Sequence, residues 1–321
     1  MRGVYASLQT DNPTCTFGLM SQSQQGIVVA SRGKSFDVRG TDHKVYRCDV
    51  RQKVKVAVKQ ETPVAVGDDV LFTGLPDLTG AIDKVLPRRS TFSRPAKGGE
   101  IAHKQIIAAN SDQLVIIASI VSPPLKTGLI DRFIIAGRMG QMSPVVVINK
   151  VDLDASGESI SVVAAYRRAG FGCYPVSAST GVGIEELREG LKEHRSLFVG
   201  HSGVGKSSIL NALVPGLDLK TREVSDFSNR GKHTTTAIEL YELPCGGFIG
   251  DSPGLKVMGF DPIDTDSVAE FYPEFESFRG DCKFQPCTHL HEPGCAVIRA
   301  VEKGEICSFR YENYAAIIDS L

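Results

Sequence analysis

Residues 197–213 read LFVGHSGVGKSSILNAL. This stretch passes from an apolar strand through a loop of the form G-x-x-x-x-G-K-S into residues with helical spacing, which is the context of a phosphate-binding loop. Glycines let backbone N–H groups curl around phosphate oxygens at a helix N-terminus. Lys206 is expected to reach the β- and γ-phosphates of a nucleotide, and the Ser207 hydroxyl to ligate Mg²⁺. The candidate contacts with the nucleotide are Gly200, His201, Ser202, Gly203, Val204, Gly205, Lys206, Ser207 and Ser208.

A motif suited to reading a base lies upstream of this loop, at Asn149-Lys150-Val151-Asp152, after the apolar run Val145–Ile148. The Asp152 carboxylate only accepts hydrogen bonds, so it suits the N1–H and N2–H donors of guanine, whereas adenine presents neither. Ser177 and Ala178 end a later strand in a loop that resembles the base-supporting loop of GTPases. The tetrapeptide alone also fits a turn at a strand end. Together with the phosphate loop, however, the motifs indicate a guanine nucleotide.

Candidate switch elements follow the phosphate loop. Asp251-Ser252-Pro253-Gly254 comes after an apolar run and resembles the D-x-x-G switch, in which Asp251 is expected to hold Mg²⁺ through water and the Gly254 N–H to sense the γ-phosphate. Three threonines, at positions 234–236, lie between the two motifs, and we favour Thr235 as the residue that completes the Mg²⁺ shell. These threonines also fit the start of a β-strand.

The sequence leaves open which group positions the water for hydrolysis. Many small GTPases place a glutamine just after the switch glycine. Here that position is Leu255, which neither donates nor accepts a hydrogen bond. His233, next to the candidate magnesium threonines, is the candidate catalytic residue. A histidine in this loop without a catalytic role fits the sequence equally well.

The charge and strand patterns differ along the chain. Lys plus Arg outnumber Asp plus Glu by 13 to 9 over residues 1–90, and the reverse holds by 12 to 5 over residues 261–321. Short strand-like segments after a predicted flexible N-terminus favour an OB-like β-barrel over residues 1–90, a fold often used for RNA. The positive charge suits RNA, but it also fits a solvated surface, and the barrel also fits a role in packing alone.

The middle of the chain follows a predicted basic linker from Pro87 to Ile101. Apolar runs then alternate with helical segments, which predicts a mostly parallel sheet with functional loops at the carboxyl ends of its strands. We therefore expect an α/β protein with a circularly permuted P-loop GTPase domain over residues 91–260, in which the guanine motif precedes the phosphate loop. Residues 261–321 are expected to form a helical zinc-binding domain.

The zinc prediction rests on a cluster of metal-ligand residue types, Cys282, Cys287, His289 and Cys295. Three thiolates and one imidazole are the ligand set of a closed, tetrahedral structural zinc site. His291 is an alternative nitrogen ligand, and free buried cysteines are the alternative to a metal site. Neither a signal-peptide pattern nor an apolar run of roughly 18 residues is present, so we expect a cytoplasmic protein without membrane contact. A monomer is the default expectation.

With these motifs in place, the sequence resembles the circularly permuted ribosome-assembly GTPases of the RsgA (YjeQ) family over nearly its whole length. The resemblance rests on the barrel, the guanine and phosphate motifs, the switch segments and the Cys-x4-Cys-x-His-x5-Cys spacing. It implies a GTP hydrolase that binds the small (30S) ribosomal subunit late in maturation, is stimulated by it and is then released. It also implies zinc on the three cysteines and His289, and a catalytic role for His233.

Two other classes of function are weighed against this one. A P-loop ATPase or small-molecule kinase fits the phosphate loop, but the motif that ends in Asp152 argues against it. A GTP-dependent RNA-binding module with little hydrolysis of its own fits the presence of Leu255.

Overall fold

The N-terminal strands close into a barrel. The computed structural model describes residues 23–51, 62–94, 105–219, 238–251 and 263–321, so the predicted flexible N-terminus lies outside the described residues. Strand β4 pairs with both β5 and β1, so the order β1-β2-β3-β5-β4 closes on itself and the predicted OB-like barrel is confirmed. Val28, Val38, Phe72 and Ile82 fill its interior with no exposed surface. The strands are β1 (Ser23–Arg32), β2 (Ser35–Gly40), β3 (Val45–Val50), β4 (Asp69–Gly74) and β5 (Thr79–Val85).

The segment predicted to be a basic linker contains a strand. β6 (Thr91–Arg94) pairs antiparallel with β7 (Gln105–Ala109). Phe92 of β6 is buried in the main core of the following domain. The linker prediction is therefore wrong for residues 91–94, because an alternating Thr-Phe-Ser run forms a short strand once its aromatic ring has an apolar core to enter.

A mostly parallel sheet follows, as the sequence predicts. Its order is β10-β9-β8-β11-β13-β12, and only β12 runs antiparallel to its neighbour. β12 also meets β1 where Glu239 lies opposite Ala30, so the sheet and the barrel form one 11-stranded sheet. The strands are β8 (Gln113–Ser119), β9 (Ser143–Asn149), β10 (Gly172–Pro175), β11 (Arg195–Val199), β12 (Glu239–Glu242) and β13 (Phe248–Asp251).

Helices cover both faces of this sheet. α1 (Thr127–Met139) and α2 (Glu158–Arg168) enclose one core with Ile116, while α3 (Ile184–Leu191) and α4 (Lys206–Leu213) enclose the other with Val115. Consecutive residues of β8 enter opposite cores because strand side chains alternate between faces. Burial on both faces explains why these strands read as unbroken apolar runs.

The C-terminal residues form a small helical unit that packs on α1. It contains 3₁₀ helices at Thr265–Phe271 and Pro273–Phe275, then α5 (Glu276–Arg279), α6 (Ala296–Glu302) and α7 (Ser308–Ile318). Its core includes Ile135 of α1 beside its own Phe275 and Tyr314. The predicted domain limits at residues 90 and 260 stay predictions. Within the described ranges, no helix has both the length and the apolar character that crossing a membrane requires.

Candidate nucleotide site and metal centre

The phosphate loop connects β11 to the first turn of α4, and two of its glycines have no room for a side chain. Gly200 and Gly205 have φ angles of 151° and 96°. A Cβ atom would lie 2.2 Å from Ile117 O at the first and 2.2 Å from Asn149 Nδ2 at the second. The loop therefore depends on glycine both for its backbone angles and for its close approach to the neighbouring strands.

Lys206 lies across this loop. Its Nζ donates to the carbonyl oxygens of Gly200 at 2.9 Å and His201 at 3.0 Å. Burial lowers the pKa of Lys206, and the nearby Asp251 carboxylate opposes that shift. A partly desolvated ammonium group held over a glycine-rich loop is suited to bind phosphate oxygens.

The base-reading loop is tied to the phosphate loop by Asn149. Its buried side chain donates through Nδ2 to Val204 O at 2.8 Å and accepts from the Ala178 N–H through Oδ1 at 3.2 Å. Lys150 adopts the left-handed conformation, with φ of 64°, and its Nζ donates to Gly203 O at 3.0 Å. Three segments that are far apart in the chain thus meet at one edge of the sheet.

Lys150 Nζ also donates to Ser122 O. Sequence reasoning missed this residue, which lies in the loop after β8. The contact uses a backbone carbonyl oxygen, which every residue type has, so the sequence does not indicate it.

Asp152 presents its carboxylate at the surface of this edge. A side-chain hydrogen bond from Ser177 lowers the pKa of Asp152 and keeps it ionised. Ser179 Oγ donates to Asp152 Oδ2 at 3.3 Å, so Ser179 is a further residue of this loop that was not among the candidates. Its place two residues beyond Ser177 was the available signal.

Asp251, the first residue of the candidate switch motif, ends β13 beside the phosphate loop. It lies opposite Phe198 of β11 in the parallel ladder. Its negative charge is close enough to Lys206 to raise the pKa of that residue, against the effect of burial. The other predicted switch residues, Gly254, Thr235 and His233, lie outside the described residues, as does Leu255.

The four predicted zinc ligands lie together between α5 and α6. Their ligand atoms are all within 4.8 Å of one another. Tetrahedral geometry with usual Zn–S and Zn–N bond lengths places two sulfurs about 3.8 Å apart and a sulfur about 3.5 Å from a nitrogen. Here Cys282 Sγ lies 3.8 Å from Cys295 Sγ, and His289 Nδ1 lies 3.6 Å and 3.4 Å from those sulfurs. This cluster has the dimensions of a tetrahedral metal site.

Hydrogen bonds around the cluster hold its ligands in place. The Ala296 N–H donates to Cys282 Sγ at 3.4 Å, and Tyr311 OH donates to His289 O at 2.8 Å. Burial alone would favour the neutral form of Glu292, but hydrogen bonds from Thr288 and nearby backbone N–H groups lower the pKa of Glu292 to about 2. Such outer contacts fix ligand orientation. The alternative ligand His291 is exposed and is not among the four clustered groups.

The loops after β9 and β11, together with Asp251 at the end of β13, therefore form one candidate nucleotide site, and the base-reading loop comes first in the chain. The fold and this site define a circularly permuted P-loop GTPase. The chain belongs to the RsgA GTPase family, whose model matches residues 85–261.

Relatives and solved structures agree with this assignment. The small ribosomal subunit biogenesis GTPase RsgA of Actinobacillus pleuropneumoniae serotype 5b is 38% identical, with 94% of this chain and 87% of that protein covered. The protein of the same name from Christiangramia forsetii is 36% identical, with 92% and 96% covered. The crystal structure of YjeQ from Thermotoga maritima matches with a TM-score of 0.74 at 32% identity, covering 94% and 99% of the two chains. YloQ, described as a circularly permuted GTPase, matches with a TM-score of 0.72 at 27% identity, covering 94% and 96%.

Proposed function

We propose that this chain binds the small (30S) ribosomal subunit and assists its late maturation, hydrolysing GTP to GDP and phosphate with stimulation by the subunit. The observation that carries the nucleotide assignment is the Asn149 side chain, which joins the base-reading loop to the phosphate loop. The choice of partner is supported by relatives that are named for small ribosomal subunit biogenesis.

The candidate site residues have separate parts in hydrolysis. Lys206 and the loop N–H groups stabilise negative charge on the phosphates as water attacks the γ-phosphorus and GDP leaves. Asp152 selects guanine, and His233 is proposed to position the attacking water, since Leu255 has no polar group with which to do so. Mg²⁺ would be held by Ser207 and Thr235, with Asp251 acting through water, and it would neutralise phosphate charge. Hydroxyl and carboxylate oxygens suit this hard ion.

The cluster of three cysteines and His289 is proposed to hold one structural Zn²⁺. The donor set supports this, as do the sulfur–sulfur and sulfur–nitrogen distances given above. A closed site of this kind contributes folding free energy to the C-terminal unit, in addition to that of its apolar core. Its part in the function is to keep the C-terminal unit folded for contact with the partner.

The barrel and the C-terminal unit are proposed to contact the RNA and proteins of the subunit. Lys34 and Lys84 on the barrel are exposed, which leaves positive charge available to phosphate groups. We propose that the protein acts as a cytoplasmic monomer, without membrane contact.

Single-turnover hydrolysis of GTP with and without purified small subunits tests this function. We expect slow hydrolysis by the protein alone and a marked acceleration when subunits are added. Leu255 favours one alternative, a GTP-dependent RNA-binding module with little hydrolysis of its own. Binding of subunits without acceleration would support that alternative and contradict the proposal.

A further inference from the structure

Strand β12 connects the barrel to the nucleotide site. Its residue Glu239 lies opposite Ala30 of β1 on one side and opposite Asp251 of β13 on the other. Asp251 in turn lies opposite Phe198, two residues before the phosphate loop. One row of paired residues thus runs across the sheet from the barrel to the candidate magnesium carboxylate.

Two barrel arginines hold the two ends of β12. Arg32 pairs with Glu239 and Arg39 pairs with Glu242, and the Arg39 side chain is only 15% exposed. The guanidinium carbon of Arg39 also lies 5.6 Å from the centroid of the Phe248 ring on β13. An arginine held by a carboxylate and an aromatic ring is better ordered than a free surface lysine or arginine. The barrel therefore contacts β12 through Arg32 and Arg39, and β13 through Arg39.

The chain order makes these contacts relevant to the nucleotide site. Glu239 follows Thr236 by three residues, and β13 ends at Asp251. β12 and β13 thus form the hairpin that joins the two candidate switch motifs. Because packed elements shift between discrete arrangements rather than deform continuously, a small change in one strand is passed to the strand paired with it.

We propose that Arg32 and Arg39 are positioning residues that couple the barrel to the nucleotide site through β12. A partner bound to the barrel alters the position of Asp251, and the state of the nucleotide alters the barrel in return, since coupling between two sites is reciprocal. This inference rests on the proposed GTPase function and adds the route by which a bound subunit acts on hydrolysis.

Hydrogen–deuterium exchange of the full chain tests the coupling without subunits. The protein is compared with GDP and with a non-hydrolysable GTP analogue, each with Mg²⁺, in peptides that cover β1 and β2. We expect exchange rates there to differ between the two nucleotides by about fivefold, the low end of usual coupling free energies. Arg39→Ala should abolish the difference, and the double variant Arg39→Glu with Glu242→Arg should restore it.

Arg51→Ala is the matched control, because Arg51 pairs with Asp83 of β5 rather than with β12 or with a partner of Arg32. It should keep the difference between nucleotides. A purely structural role for Arg39 predicts that Arg39→Ala speeds exchange by the same factor with both nucleotides, so that the difference between them is kept.

Two results overturn the coupling: equal exchange with both nucleotides in the unaltered protein, or a difference that persists in Arg39→Ala. Failure of the proposed function has a separate signature. Nucleotide-dependent exchange without subunit-stimulated hydrolysis would support the coupling and contradict the function. Absence of binding by a fluorescent GTP analogue would overturn both.

Discussion

Arg310 of α7 donates through Nη1 to Asp131 of α1, and both side chains are only 1% exposed. Arg310 Nε also donates to Glu274 at 2.7 Å, and its guanidinium carbon lies 4.5 Å from the Tyr272 ring centroid. Burial opposes the charge of Arg310, but the two carboxylates outweigh it and raise the pKa of Arg310. This buried cluster of charges therefore holds the C-terminal unit against α1, the helix that precedes β9 and the base-reading loop.

Replacing Arg310 with methionine should lower the free energy of unfolding by about 3–5 kcal/mol, because it leaves the Asp131 charge buried without its cation. Urea unfolding followed by tyrosine fluorescence measures this loss. Arg168→Met, at an exposed position of α2, is the control and should change stability by about 0.5 kcal/mol or less. Equal stabilities of the two variants would contradict a stabilising role for the cluster.

Replacing Cys282 with serine should remove the bound zinc and unfold the C-terminal unit, since one ligand of a tetrahedral site is lost. Native mass spectrometry gives the metal content, and hydrogen exchange in α6 and α7 gives the folding. Cys307→Ser should keep the zinc, because Cys307 lies outside the cluster. A metal-free unaltered protein with a folded C-terminal unit would refute the zinc assignment.

Replacing Asp152 with asparagine should weaken GTP binding by on the order of a hundredfold or more, because an amide cannot accept from both N1–H and N2–H of guanine. Xanthine offers N1–H and a carbonyl oxygen at C2, so affinity for xanthosine triphosphate should rise. Competition for a fluorescent GDP analogue measures both changes. Asp154→Asn is the control, since Asp154 accepts from the Ser159 N–H in the first turn of α2 and should not affect the choice of base. An unchanged preference for GTP in Asp152→Asn would contradict the base-reading role of Asp152.

Replacing His233 with alanine should lower the single-turnover rate of GTP hydrolysis by about 10²-fold or more while leaving GTP affinity near that of the unaltered protein. The physical reason is that a water-positioning group acts on the reaction and not on the bound ground state. His201→Ala is the comparison. It removes a histidine of the phosphate loop for which no role in positioning water is proposed. Unchanged hydrolysis by His233→Ala would remove His233 from the mechanism.

The sequence was most informative where local backbone chemistry limits the choice of residue. The phosphate loop needs glycine at Gly200 and Gly205 because a Cβ atom there would lie 2.2 Å from a neighbouring atom, and its motif is read directly from the chain. The cysteine cluster is equally local, because thirteen positions separate Cys282 from Cys295. The alternating strands of the barrel were also recognisable, since each strand signals its own period.

Contacts between distant segments were not predictable in this way. Nothing near Arg310 in the chain indicates that it is buried or that its partner is Asp131, which lies 179 positions away. The sequence predicts a linker over Thr91–Arg94, because the burial of Phe92 depends on a core built by later residues. The packing of the C-terminal unit against Ile135 of α1 is likewise a contact between segments far apart in the chain.

The place of Ile135 in the C-terminal core has a practical consequence. This residue of α1 is 1% exposed only because the C-terminal unit covers it. A protein shortened to end at residue 262 would therefore expose an apolar surface of α1 and the Asp131 carboxylate beside it. Such a fragment should aggregate or misfold, and its low activity would say little about whether the missing part touches the ribosome.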